Sequence, residues 1–171
     1  METTDVKLQL YSDEHVSMTV EWLKKDFIKK NFCTIDDISI EKHKAWLSEN
    51  QDVCKWAIYV DEHIGNIFIF LDQKHFSGYM QIYIGSEKHH GRGIGYRAMQ
   101  MVIDYSFATI GLHRLWLHCY PENIVAARLY KKLGFIYEGC EREAIYRDGM
   151  FISQDRWSLL ERDWMQGSGF S

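Results

Sequence analysis

Three glycines at alternate positions, Gly91, Gly93 and Gly95, lie in the run Ser86-Glu87-Lys88-His89-His90-Gly91-Arg92-Gly93-Ile94-Gly95. They suit neither a helix interior nor a strand interior, because glycine loses more backbone freedom on ordering than any other residue. They suit a place where main-chain N–H groups must approach another molecule closely. The alternating run Tyr79 to Ile84 before them reads as a strand. Directly behind them Tyr96-Arg97-Ala98-Met99 opens a helix pattern that continues to Thr109, with Met99, Val102, Ile103, Phe107 and Ile110 at helical spacing and Gly111 as a left-handed stop. A helix starting behind such a loop offers unpaired N–H groups and the positive end of its dipole. Lys88, Arg92, Arg97 and the two histidines add positive charge. The expected ligand carries phosphate and rests on the amides of residues 91–96.

Two other readings use the same glycines. Gly93-Ile94-Gly95-Tyr96-Arg97-Ala98 fits the dinucleotide pattern G-x-G-x-x-A, which expects an acid at the end of the next strand. That strand reads His113-Arg114-Leu115-Trp116-Leu117-His118 and has none. A nucleotide loop ending in Gly-Lys-Ser/Thr is absent. A plain glycine-rich turn is the other reading, and three spaced glycines flanked by arginines count against it.

A chain of 171 residues is expected to form one domain, residues 1–171, burying around two-thirds of its unfolded surface. A single proline leaves little room for linkers. The net charge of −4 and pI near 6.0 argue against a nucleic-acid partner, since the basic cluster is local. No run approaches the roughly 18 apolar residues of a membrane span, and the N-terminus does not read as a signal peptide. Cys33, Cys54, Cys119 and Cys140 form no Cys-x-x-Cys pair, so neither a zinc site nor a disulfide framework is expected, and the cytoplasm is the expected compartment. His89-His90 has no carboxylate at ligand spacing, so no metal is expected there.

Along the chain, Val6 to Tyr11 alternates as a half-buried strand. Ser12 is expected to cap one helix that carries Val16, Val20, Leu23 and Phe27 on a single face, and Ser39 a second with Ala45, Trp46 and Leu47. Asp36 and Asp37 are expected between them, exposed. Cys54 to Val60 and Ile64 to Leu71 read as paired strands joined at Asp61-Glu62-His63. Ile67 to Leu71 is apolar on both faces, as in a central strand. A loop spans Asp72 to Ser77, and Leu112 to Cys119 is a strand parallel to Tyr79–Ile84 across a right-handed crossover. Tyr120-Pro121-Glu122 breaks it, Asn123 caps a helix through Leu133, and Gly134 ends that helix. Phe135 to Gly139 starts a strand, Asp148-Gly149 marks a hairpin within Tyr146 to Phe151, and Ile152 to Leu160 is its return. Trp164 to Ser171 reads as a frayed end.

The stretch from Asn123 through Ala126 and Tyr130 to Gly134-Phe135 resembles the GNAT superfamily of acetyl-coenzyme A-dependent N-acetyltransferases. The family's phosphate loop, Gln/Arg-x-x-Gly-x-Gly/Ala, matches His90 to Gly95 upstream, with His90 where Gln or Arg is commonest. Glu138-Gly139, Arg142, Asp148-Gly149 and Asp155 resemble the branch acting on ribosomal-protein N-termini, with polyamine and nucleotide-linked amino-sugar acetyltransferases among its relatives. The resemblance implies a single-domain α/β GNAT fold: a mixed, mostly antiparallel sheet with a splayed parallel strand pair and helices on both faces.

It also implies a cofactor and a set of roles. Acetyl-CoA would lay its pyrophosphate on His90, Gly91, Arg92, Gly93, Ile94, Gly95 and Tyr96, and its pantetheine arm along Ile82, Tyr83 and Ile84. Asn123 would hydrogen-bond that arm and Tyr130 would protonate the departing thiolate. A phenol with a pKa near 10 can donate that proton without being ionised at neutral pH. The acceptor is a primary amine of a small molecule or peptide N-terminus, attacking directly in a ternary complex, since no cysteine has the setting of an acyl carrier. An amine of pKa near 10.4 costs roughly 4–5 kcal/mol to deprotonate at pH 7. Met80 and Gln81 occupy the strand where some relatives place a basic glutamate, which leaves a water chain ending at Tyr83, His118 or Glu138. Strand N–H groups near Ile84 would hold the oxyanion. Asp36, Asp37 and Glu41 are candidates for drawing a cationic amine, and Trp22, Trp46 and Tyr79 for stacking on one. A homodimer is among the assemblies this allows. The alternatives are a catalytically silent CoA-binding sensor and a dinucleotide-binding oxidoreductase.

Overall fold

The computed structural model describes residues 5–31 and 37–167. Cys33, Asp36 and residues 168–171 lie outside them. Strands β1 (Lys7–Leu10), β2 (Val53–Tyr59), β3 (His63–Asp72), β4 (Ser77–Ile84), β5 (Arg114–Cys119), β6 (Ile136–Arg147) and β7 (Met150–Leu160) form a seven-stranded sheet in the order β1-β2-β3-β4-β5-β7-β6. The helices are α1 (Val16–Leu23), α2 (Asp26–Asn31), α3 (Ile40–Glu49), α4 (Ile94–Tyr105), α5 (Ile124–Lys132) and α6 (Glu161–Gly167). The chain forms two compact units, Met1–Leu71 with Gln81–Val102, and Asp72–Met80 with Ile103–Ser171.

In the first unit β3 is buried at every position from Ile64 to Ile69, as its two-faced apolar pattern requires. The expected single helix after Ser12 is a 3₁₀ turn, Asp13–His15, followed by α1 and then a separate α2. Ser12 N–H donates to His15 Nδ1 at 2.9 Å. The apolar stripe crosses the break: Val16, Val20, Trp22 and Leu23 of α1 share a core with Ile28 of α2 and Tyr83 of β4. Lys25 lies between the two helices, and its Nζ donates to Gly85 C=O at 3.2 Å. Ser39 caps α3 as expected, accepting from Lys42 N–H at 3.2 Å. Asp37 is exposed and pairs with Lys42, so its charge is already answered.

In the second unit β4 and β5 pair in parallel at Ser77↔Arg114, Gly78↔Leu115 and Tyr79↔Trp116. The expected loop at Asp72 to Ser77 contains a 3₁₀ turn, Gln73–His75, capped by Asp72. β6 runs far beyond Gly139 and pairs antiparallel with β7 through register shifts near Gly139 and Glu143. Asp148 and Gly149 both take positive φ, 51° and 79°, the backbone of a two-residue hairpin turn. The chain end through Gly167 is helical: Trp164 Nε1 donates to Asp104 Oδ1 at 2.7 Å and its ring stacks on Phe107. Among the described residues no helix is long and apolar enough to cross a membrane.

Candidate active site

The glycine loop belongs to the first unit. Gly85 follows β4 and its missing side chain matters, because a Cβ there would lie 2.0 Å from the Trp22 ring. Trp22 and Trp46 are packing residues: Trp22 is buried, and Trp46 stacks on His43 and lies against Phe68. Gly91 and Gly93 take φ of 72° and 74°, with nothing within 4 Å of a Cβ at either. Helix α4 begins at Ile94, two residues earlier than its apolar pattern predicts. Gly95 is therefore helical, and a glycine in a first turn lets a ligand reach the backbone. Arg97 N–H makes the helix's first backbone bond, to Gly93 C=O at 3.2 Å. The amides of Ile94, Gly95 and Tyr96 precede that bond, which is the geometry that receives an anion.

The surrounding charge is narrower than expected. Lys88 Nζ is 2.5 Å from Glu62 Oε1. His89 is buried, hydrogen-bonds Ser86 Oγ at 2.9 Å, and has its pKa lowered by burial and by Lys88 and Arg92 beside it, so it supplies no charge at neutral pH. His90 Nε2–H donates to Ile84 C=O at 2.8 Å, which ties the loop to the end of β4 and occupies a carbonyl expected to face the pantetheine arm. Tyr83 points into the α1 core, where its hydroxyl accepts from Asn66 Nδ2 at 2.8 Å and burial pushes its pKa far up. Ile82 and Ile84 are half-buried.

Tyr130 and Asn123 belong to the second unit. Asn123 Oδ1 caps α5 by accepting from Ala126 N–H at 3.1 Å, and Gly134 closes the helix at φ 88°. Asn123 Nδ2 has no partner among the described residues. Tyr130 is only 7% exposed. Its ring meets Trp157 edge-on and Phe135 at a tilt, while its hydroxyl has no hydrogen-bond partner among the described residues. Burial raises its pKa well above 10, and Cys119 and Tyr79 add to the rise. Burial likewise pushes the Cys119 thiol to about 11, with Asp155 adding to the effect and the Trp157 indole opposing it. A thiol held that high is a poor nucleophile at neutral pH.

Across β5, β7 and β6 lies a polar cluster that single residues in the sequence do not announce. His118 Nε2 is 3.1 Å from Glu141 Oε2. Gln154 Nε2 donates to Glu141 Oε2 and Arg156 to Glu141 Oε1, each at 2.6 Å. Arg156 lies over the Trp116 ring, which stacks on Tyr79 at 4.5 Å. Period-two spacing of Trp116 and His118 on one strand, and of Gln154, Arg156 and Ser158 on another, is the signal that marks this face. Glu138 is committed elsewhere. Arg114 grips both its oxygens and Ser158 Oγ donates to one, and these bonds hold its pKa at about 2. Among the described residues no three metal-ligating side chains converge.

The acetyltransferase (GNAT) domain family matches residues 2–136. The spermidine N(1)-acetyltransferase of Vibrio cholerae is 33% identical over 94 residues, 55% of this chain and 54% of that one, so the match spans about half of that relative. The Escherichia coli K12 spermidine N(1)-acetyltransferase is 25% identical over 166 residues, 96% of this chain and 86% of that one. A crystal structure of the Vibrio cholerae enzyme with CoA and spermine shares this fold at a TM-score of 0.88 and 20% identity, covering 95% of this chain and 99% of that one. Another structure of that enzyme is dodecameric, with a TM-score of 0.82 and 19% identity over 97% of this chain and 99% of that one. The chain thus belongs to the GNAT acetyltransferase family, with its α/β fold, and is an N-acetyltransferase that moves the acetyl group of acetyl-CoA to an amine.

Proposed function

We propose that the acceptor is an aliphatic polyamine and that Tyr130 is the acid of the reaction. The observation that carries the catalytic part is the Tyr130 side chain, 7% exposed, whose hydroxyl has no partner among the described residues and is not sealed from solvent. When an amine attacks a thioester, negative charge collects on sulfur. A phenol whose own ionisation is suppressed keeps its proton until that moment. Asn123 Nδ2, free of the cap its oxygen makes, is suited to an amide carbonyl of the pantetheine arm. The amides at 91–96, with His90 and Arg92 flanking them, hold the diphosphate, and Ile82, Tyr83 and Ile84 offer backbone to the arm. The Cys119 thiol, pushed up to about 11 by burial, is poorly suited to carry an acyl group, which supports attack by the amine in a ternary complex.

The polyamine reading is supported by the spermidine acetyltransferases among the relatives, one of which aligns over 96% of this chain. One acetyltransferase domain over residues 1–171, working in the cytoplasm and assembled with copies of itself, completes the proposal. Cys54, Cys119 and Cys140 are free thiols, and the Vibrio cholerae relative assembles as a dodecamer. An amine panel read by thiol release tests the acceptor. Spermidine and spermine should exceed amino sugars, aminoglycosides and peptide N-termini in kcat/KM; a preference for peptide N-termini would overturn the polyamine assignment. CoA binding without turnover on any amine would instead favour a sensor.

A further inference from the structure

At the end of β4, two successive backbone carbonyls are met by side chains from elsewhere in the first unit. Gly85 N–H donates to Ile64 C=O of β3 at 2.8 Å. A planar trans peptide sends its C=O the opposite way from its N–H, so Ile84 C=O points away from β3. His90 Nε2 reaches that oxygen at 2.8 Å, and because a carbonyl only accepts, the nitrogen there carries the hydrogen. The next carbonyl, Gly85 C=O, accepts from Lys25 Nζ at 3.2 Å. Phe27 of α2 meets both side chains: its ring stands edge-on to that of His90 at 5.3 Å, and Lys25 Nζ is 5.6 Å from its centroid. Lys25, Phe27 and His90 thus form a bracket around the strand end.

The bracket falls where the glycine loop is least restrained by its own backbone. The 3₁₀ turn Glu87–His89 is closed by His90 N–H on Glu87 C=O at 3.0 Å, and the first backbone bond of α4 starts from Gly93 C=O. Between them Gly91 and Gly93 hold φ of 72° and 74°, with nothing within 4 Å of a Cβ at either. Glycines in open space have many alternatives to that backbone. The His90 imidazole ties this stretch to a strand. In the neutral ring its other nitrogen, Nδ1, presents a lone pair, which repels a phosphate oxygen where an N–H would bind it.

We propose that His90 is a positioning residue for the cofactor: as a hydrogen-bond donor it anchors the glycine loop to the end of β4, so that the amides at 91–96 face the diphosphate before it arrives. Phe27 holds the ring in place from α2. This rests on the acetyl-CoA reading above and specifies what the histidine beside the diphosphate does. A loop that keeps its bound form without ligand costs the ligand less to bind, and one that samples other forms weakens apparent affinity by the fraction of time it is competent. Losing one neutral hydrogen bond corresponds to about fivefold. Once the cofactor is seated the loop is held by it, so the effect falls on KM for acetyl-CoA and leaves kcat.

The test uses the full chain, with acetyl-CoA in a calorimeter at low and high salt and with spermidine in the rate assay. His90→Gln keeps an N–H donor at similar reach and carries no charge, so it should bind acetyl-CoA like the wild type. His90→Leu keeps bulk and removes the donor. It should bind about fivefold more weakly, raise KM for acetyl-CoA to match, keep kcat, and exchange the amides of residues 91–93 faster in the unliganded protein. Salt should weaken binding equally in all three, because no charge on the diphosphate is lost. His90→Gln binding as weakly as His90→Leu, or a shallower salt dependence in both variants, would overturn the anchor in favour of a direct charged contact. Wild-type affinity or unchanged amide exchange in His90→Leu would overturn it outright. Wild-type protein giving no heat with acetyl-CoA would sink the cofactor reading and the role that rests on it; the amide exchange of His90→Leu reports the anchor independently, so the two failures are distinct.

Discussion

Arg114 and Glu138 meet as a two-pronged ion pair, with the guanidinium nitrogens 2.7 Å and 2.6 Å from the two carboxylate oxygens. Glu138 sits on the outermost strand, β6, and Arg114 on β5, so the pair reaches across β7, where Ser158 Oγ adds a third bond at 2.7 Å. Bidentate geometry of this kind is stronger than a single contact between the same charges.

The pair makes stability depend on acid. Glu138 is held at about 2 in the folded chain, chiefly by the Arg114 hydrogen bonds, against about 4.3 when unfolded. Its contribution is complete above the unfolded pKa and is lost as pH falls from about 4.5 towards 2. With a third of the side chain exposed, solvent screening reduces it to about 1 kcal/mol. Calorimetric Tm measured from pH 6 to pH 2.5 should fall less steeply in Glu138→Gln than in the wild type. Parallel curves would show that the pair contributes nothing.

Two glycines should respond to substitution in opposite ways. A Cβ on Gly65 would lie 2.3 Å from the Tyr83 carbonyl oxygen and 2.9 Å from Ile84 Cα, both backbone atoms that cannot swing aside. Gly65→Ala should cost about 3 kcal/mol or prevent folding. Gly93 has open space around its Cβ position and a φ of 74°. Gly93→Val should fold, at a cost of about 1 kcal/mol for the left-handed backbone, yet bind acetyl-CoA at least tenfold more weakly because the side chain obstructs the amides. Equal affinity by calorimetry would count against the diphosphate assignment at 91–96.

What could be read from the chain in advance divides by how local its cause is. Asp148-Gly149 was legible because a two-residue hairpin demands positive φ at both positions, and Asn123 and Gly134 because helix ends have their own chemistry. The gap between α1 and α2 was not, since the apolar spacing runs on through Phe27 with no breaker residue, while Lys25 at the gap meets a partner, Gly85, sixty residues away. His89 looked like a cation beside the glycines, and only its burial against Ser86 shows it to be a neutral brace. Helix α6 was missed because its anchor, Trp164 on Asp104 and Phe107, is tertiary. His118 was legible as a candidate, but the groups that meet its Nε2, Arg156 and Gln154, come from the neighbouring strand β7.

Tyr130→Phe removes one oxygen that has no partner among the described residues, so the change should leave Tm nearly unaltered. Acetyl-CoA affinity should also be unchanged. Turnover should fall by about 100-fold, the scale of a general acid's contribution. Because burial raises the phenol's pKa, its ionisation should not produce a basic limb in the wild-type rate profile below pH 10. Unchanged turnover in Tyr130→Phe would remove the acid assignment.

Asn123 serves two ends of one amide, and a pair of substitutions separates them. Its Oδ1 caps α5 at 3.1 Å from Ala126 N–H, a bond worth about 1 kcal/mol. Its Nδ2 has no partner among the described residues, and the proposed one is the pantetheine arm. Asn123→Ser keeps a side-chain oxygen at the cap and stays neutral, but loses the amide N–H groups. Thermal stability should therefore hold in Asn123→Ser and fall in Asn123→Ala, while acetyl-CoA affinity falls severalfold in both. If Asn123→Ser bound the cofactor like the wild type, the asparagine would be a helix cap alone, and the arm would be held by other groups.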